Sequence, residues 1–210
     1  MKKVIAVMVL FAAGVISGAY ELYQLLPAPA PTAVIAEKPG KTMGGQAATL
    51  LPTTLTSKQS ALLNMAYSLA KAEGFKNPEV VQSVLLQETH AGGLKSYKVA
   101  NPGPEAYFGP MQIKLAATKD VLARYPGLWA KYDFHTRTDD EIKANLILNE
   151  KFNLEVGTKY LRMLQVQYGF HGRELVNAYN RGPGGVKAVD DTFHYALGAE
   201  AKLAAWKRRK

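Results

Sequence analysis

Asn77-Pro78-Glu79-Val80-Val81-Gln82-Ser83-Val84-Leu85-Leu86-Gln87-Glu88-Thr89-His90-Ala91-Gly92-Gly93 reads as one helix with its start and its stop. Asn77 can cap it, Pro78 suits the first helical position, and Gly92-Gly93 ends it. Val81, Val84 and Leu85 line one face. Glu88 follows them by seven, four and three residues, so a carboxylate continues that apolar stripe. Partial burial disfavours its charged form, and the carbonyl end of the helix dipole repels it. Both effects raise its pKa, which is how a carboxyl becomes a proton donor at neutral pH. The same pattern also fits a buried glutamate satisfied by hydrogen bonds, or a boundary residue that reaches solvent at the helix end.

The segments on either side are also helical. Thr56 and Gln59 form a capping-box pair ahead of Leu62, Leu63, Ala66, Leu69 and Ala70, and Gly74 offers a stop. The stretch from Gly92 to Pro110 is loop. A helix is predicted from Leu115 to Tyr125, and Thr138 with Glu141 opens a long helical region that runs to Tyr168. Phe152, Tyr160, Leu161, Leu164 and Tyr168 form its apolar stripe, Gly157 permits close approach of another element, and Gly169 stops it. A short helix over Glu174 to Tyr179 and a last one from Asp190 to Lys207 follow, with Phe193, Leu197, Leu203 and Trp206 as candidate core residues. There is no internal repeat and no strand pair in this reading. The fold class is mainly α, with the domain over residues 57–210.

Upstream of the domain, Lys2 and Lys3 precede an uncharged run from Val4 to Tyr20. Its composition is that of an export signal, and Ser17-Gly18-Ala19 resembles a signal-peptidase site. Residues 1–19 are thus a signal peptide or a signal anchor, with residues 4–20 the possible inner-membrane tether. Residues 20–56, rich in Pro, Gly and Thr, form a linker that begins with Pro27-Ala28-Pro29-Ala30-Pro31. Either fate of the signal exports the rest, to the periplasm or cell envelope. The formal charge of +9 becomes +7 when Lys2 and Lys3 are removed, since residues 1–19 hold no acid. That surplus favours polyanions such as the cell wall or anionic lipid, and export sets nucleic acid aside. The Lys207-Arg208-Arg209-Lys210 cluster reads as a solvated helix end or as a wall-binding or lipid-binding tail. There is no cysteine, so thiolate metal sites and cysteine nucleophiles are excluded. His90, His135, His171 and His194 are scattered without a paired ligand motif, and neither a metal nor a cofactor is expected.

Two further strings carry the chemistry: Phe108-Gly109-Pro110-Met111-Gln112 and Ala178-Tyr179-Asn180-Arg181-Gly182-Pro183-Gly184. Together with Glu88-Thr89 they resemble the soluble-type (SLT-like) lytic transglycosylases. That family has Glu-Ser, Gly-Leu-Met-Gln and Ala-Tyr-Asn-Ala-Gly motifs in the same order. Asn153-Leu154, Gly157 and Tyr160-Leu161 match its intervening Asn-Ile, Gly and Tyr-Leu pattern. The resemblance spans about residues 57–190 and implies a lysozyme-like, goose-type helical fold. It implies that Glu88 is the single catalytic acid, that Met111 and Gln112 line the sugar cleft, and that Tyr179 and Asn180 face the glutamate. Four features depart from the pattern. Thr89 stands for serine and keeps a hydroxyl for substrate or backbone, while His90 with Gly92-Gly93 makes the following segment unusually glycine-rich. Pro110 stands for leucine. Arg181 stands for alanine, where its charge could meet a substrate carboxylate or point to solvent.

The implied reaction needs one carboxyl, which protonates the glycosidic oxygen and then takes the proton of the substrate's own C6 hydroxyl, leaving a 1,6-anhydro ring. Two other readings stay open: a hydrolytic muramidase on the same fold, and a noncatalytic wall-binding or assembly protein. A hydrolase needs a second acid across the bond. Glu105, Asp190 and Asp191 read as ordinary surface or capping acids. The expected partners are glycan strands of peptidoglycan and an envelope-spanning machine, with the protein itself a monomer.

Overall fold

Thr56 starts the helical domain as the residues around it require. Its hydroxyl accepts from the Gln59 amide while the Gln59 side chain accepts from the Thr56 amide, a complete capping box. The structure is a computed structural model that describes residues 54–94, 106–187 and 193–209. The proposed signal, nearly all of the proposed linker, Glu105, Asp190 and Asp191 lie outside the described residues. In chain order the elements are α1 (Ser57–Ala72), α2 (Glu79–Thr89), β1 (Tyr107–Phe108), β2 (Ile113–Lys114), α3 (Leu115–Arg124), α4 (Gly127–Lys131), α5 (Asp139–Leu148), α6 (Glu150–Tyr168), α7 (Gly172–Lys187) and α8 (His194–Lys207).

Helix α6 organises the domain because it is apolar on more than one face. Leu154, Leu161 and Leu164 enter a core shared with α1, α2, α7 and α8. Phe152, Val156 and Met163 enter a second core with the hairpin, α3, α4 and α5, and Tyr160 packs against both. Residues from Phe152 to Thr158 are all buried, as expected of a helix with protein on both sides. At Gly157 the hairpin packs directly on the helix: a Cβ there would lie 3.0 Å from three atoms of the Met111 side chain. The close approach expected at Gly157 is therefore present.

Several expectations are corrected. The long helical region from Thr138 to Tyr168 is two helices, because Asn149 leaves the helical conformation (φ −108°, ψ 90°) and its side chain caps α6 by accepting from the Phe152 amide at 3.0 Å. A strand pair exists where none was predicted: β1 and β2 are antiparallel, with Tyr107 opposite Lys114 and Phe108 opposite Ile113. Two residues per strand are too few to show alternation. Helix α4 is likewise too short for a periodic signal. Helix α8 begins at His194 rather than Asp190, and Leu197 and Tyr168, expected in the core, are each about 41% exposed. Glycine does not end α2, which stops two residues earlier at His90 and Ala91 (φ 52° and 59°).

Candidate active site

Those two left-handed residues set the end of α2. Each costs about 1–2 kcal/mol relative to a relaxed backbone, and surrounding bonds hold them. The Ala91 amide donates back to the Leu85 carbonyl at 3.1 Å, and the His90 carbonyl accepts from Gln59 Nε2 at 2.7 Å. His90 is buried, at 4% exposure. Gln59, the capping-box partner of Thr56 in α1, thus also fixes the turn that follows Glu88.

Thr89 joins that turn to the second motif. Its hydroxyl donates to the Pro110 carbonyl at 2.7 Å and accepts from the Gly92 amide at 2.8 Å, and the residue is 1% exposed. Of the two roles open to Thr89, substrate or backbone, the structure shows the backbone one and corrects its placement among the substrate-binding residues: its hydroxyl is committed to two backbone groups, and no surface is left to offer. Thr89→Ala should destabilise the fold by about 1–3 kcal/mol, since both backbone partners lose their bond. Thr89→Ser should retain most of the stability, and urea unfolding of the two variants checks the difference.

The hairpin that receives Thr89 is built on Gly109 (φ 66°), where a Cβ would come within 2.3 Å of the Leu146 carbonyl oxygen and of Asn153 Nδ2. Only glycine fits. Asn153, fully buried on α6, accepts from the Met111 amide at 2.8 Å and donates to the carbonyls of Phe108 at 2.8 Å and Leu146 at 3.1 Å. The Met111 side chain is fully buried under Gly157, so it supports the hairpin instead of presenting an apolar wall to a ligand. Gln112 also has positive φ (47°); it remains partly exposed, and its side-chain Nε2 donates to the Gly109 carbonyl at 2.8 Å.

Glu88 itself is partly buried, and burial is the main cause that pushes its pKa up from 4.5 to about 7. Two groups oppose that rise. The Tyr195 hydroxyl donates to Glu88 Oε1, and Lys202 attracts the carboxylate. Tyr179 lies within electrostatic reach of Glu88: burial first and the carboxylate second hold its phenol well above the usual tyrosine range. Its hydroxyl, however, donates to the Met111 carbonyl at 2.8 Å. The direct phenol partner of Glu88 is Tyr195, which sequence reading missed. The one available signal was its distance of three residues from Gly198 on a short helix rich in small residues, too weak to single it out.

Helix α7 carries the third motif and breaks at Gly182 (φ 74°, ψ 166°), directly before Pro183. Tyr179 points inward while Asn180 and Arg181 are exposed. The structure therefore gathers Glu88, Tyr179, Tyr195 and the hairpin in one place, with Gln112 at the hairpin turn and Asn180 and Arg181 on the surface of the adjoining helix end. A groove of about 290 Å³ at the other end of α2, lined by Tyr67, Glu79, Gln82 and Trp206 among others, contains none of these residues.

Among known proteins, the family described as Transglycosylase SLT domain matches residues 52–196. No curated protein and no solved structure matches the chain. The match covers well over half of the chain and all three motif strings, and the helical fold centred on α6 agrees with it. The chain belongs to the SLT transglycosylase family, a lysozyme-like family that acts on peptidoglycan.

Proposed function

We propose that this protein is a peptidoglycan lytic transglycosylase that cleaves the β-1,4 bond between MurNAc and GlcNAc and leaves 1,6-anhydro-MurNAc. The observation that carries the reading is a single carboxyl poised at about pKa 7 with a phenol donor on one of its oxygens. Such a group is protonated often enough at neutral pH to act as an acid, and ionised often enough to act as a base. In the first step Glu88 gives its proton to the glycosidic oxygen as the bond from that oxygen to the anomeric carbon breaks. The departing sugar leaves as an alcohol, and the 2-acetamido group of the substrate can stabilise the electron-poor anomeric carbon. In the second step the Glu88 carboxylate takes the proton of the C6 hydroxyl as its oxygen bonds to the anomeric carbon. The carboxyl is protonated again and no water is consumed.

Hydrolysis would require a second carboxylate to activate water on the far side of the bond. Glu155, the buried acid of α6, is occupied otherwise: Lys131 and Tyr132 both donate to its carboxylate. No specific observation favours the hydrolytic or noncatalytic reading. The exposed Asn180 and Arg181 suit the amide and carboxylate groups of the glycan and its peptide stems.

We further propose that the domain works in the cell envelope, where residues 1–19 would deliver it and residues 20–56 would tether or release it beside a wall-spanning assembly. The support is the composition of those residues. Among the described residues, no helix is long and apolar enough to cross a membrane.

Purified sacculi incubated with the protein should release muropeptides one water lighter than the reducing forms. Products ending in reducing muramic acid would contradict the reading. The acid form of Glu88 starts the reaction, so turnover should decline as pH rises through about 7. Tyr195→Phe removes a donor that favours the carboxylate. The alkaline limb of the pH profile should therefore move to higher pH, with turnover near pH 6 reduced by about tenfold.

A further inference from the structure

One face of α8 meets the last turn of α2 at three positions. Tyr195 donates to Glu88, Gly198 leaves room for the Gln87 side chain, and the Lys202 ammonium donates to the Gln87 carbonyl at 3.3 Å. The steps of three and four residues place these on one helix face. The Gln87 carbonyl is an end group of α2: the Ala91 amide that would serve it in a continuing helix turns back to Leu85 instead. A Cβ at Gly198 would stand 3.0 Å from Gln87 Oε1, and that buried oxygen has no hydrogen-bond partner. The half-buried Lys202 therefore occupies a place where the α2 carbonyl end and the Glu88 carboxyl both direct negative potential.

We infer that Lys202 is a positioning residue for Glu88: its ammonium holds the last turn of α2 through the Gln87 carbonyl and supplies the counter-charge of the carboxylate that exists between the two proton transfers. Its catalytic part rests on the proposed function. Among the described residues, the titratable groups that act on Glu88 or feel its charge are Tyr195 and Lys202 from α8 and Tyr179 from α7. Helix α1 contributes the neutral Gln59 amide to the following turn, where it holds the carbonyl of buried His90. Of these groups Lys202 brings the positive charge. Burial lowers the lysine's own pKa, and Glu88 acts in the opposite direction, as paired charges do. Lys202 reaches the carboxyl from the α8 side through α2, so removing it should slow turnover and leave KM unchanged.

The test is a carbon-13 NMR titration of the Glu88 carboxyl, without substrate, in the wild-type chain and in Lys202→Gln, Lys202→Met and Lys202→Arg. The glutamine keeps a donor for the Gln87 carbonyl and loses only the charge, which guards against a variant that fails to fold. The Glu88 midpoint should rise by about half a pH unit or more in the Gln and Met variants and return to near the wild-type value in Arg. On sacculi, Lys202→Gln should show a severalfold lower kcat at pH 7 with KM unchanged. An unmoved midpoint in Lys202→Gln, or an equal rise in Lys202→Arg, would overturn the inference. The titration needs no turnover, so a wild-type chain that releases no muropeptide would sink the proposed function while this result still stood by itself.

Discussion

Glu88→Gln is expected to lower glycan cleavage by about a thousandfold or more, because in the proposed reaction one group performs both proton transfers and general acid–base catalysis contributes about 10²–10⁴-fold. The same change should make the protein more stable at neutral and alkaline pH. The carboxyl is held at about 7 in the fold against an ordinary 4.5, so between those values the unfolded chain binds fewer protons and stability falls as pH rises. Its contribution is fully present below 4.5 and is lost as pH passes through about 7. The shift, discounted for the partial exposure of Glu88, corresponds to about 1–2 kcal/mol. Glutamine has the same shape, accepts from Tyr195 and never ionises. Thermal unfolding should show the variant melting a few degrees higher at pH 8, with the two curves converging near pH 4. Loss of activity accompanied by loss of stability would mean that Glu88 is a structural acid.

Asn153→Ala should have the largest effect on the fold. It removes one acceptor and two donor bonds at a fully buried position, leaving the Met111 amide and the Phe108 and Leu146 carbonyls without that partner. Unsatisfied buried groups cost about 1–3 kcal/mol each, and partial relaxation brings the expected total to about 3–4 kcal/mol. Activity should fall as well, because Asn153 fixes the hairpin whose Met111 carbonyl holds Tyr179 and whose Pro110 carbonyl holds Thr89. Urea unfolding gives the first quantity and muropeptide release the second. A variant as stable as the parent would show that α6 does not set the hairpin.

The helices were legible because their signals are local. Thr56 with Gln59 and Thr138 with Glu141 mark starts by side-chain chemistry alone, and the stripe from Val81 to Leu85 declares a buried face. What stayed hidden depends on tertiary partners. Nothing at Asn149 itself separates a helix interior from a cap until the Phe152 amide is seen to need an acceptor. For Thr89 the sequence left substrate and backbone both open, because a hydroxyl beside an acid suits either role. The Pro110 carbonyl, twenty-one residues on, decides between them. Tyr195 stands 107 residues from Glu88 in the chain, and no periodicity connects positions so far apart. The partly buried carboxyl at the end of α2 was therefore readable, while its partners Tyr195 and Lys202 were not.

The central claim is that Glu88 drives an intramolecular transfer that consumes no water. Digestion of sacculi in water enriched in oxygen-18 tests it most directly. Muropeptides released by the wild-type protein should carry anhydro ends free of the label, and Glu88→Gln should release almost none. Incorporation of one labelled oxygen at the reducing end of each released muropeptide would show that water is the nucleophile and would contradict the account.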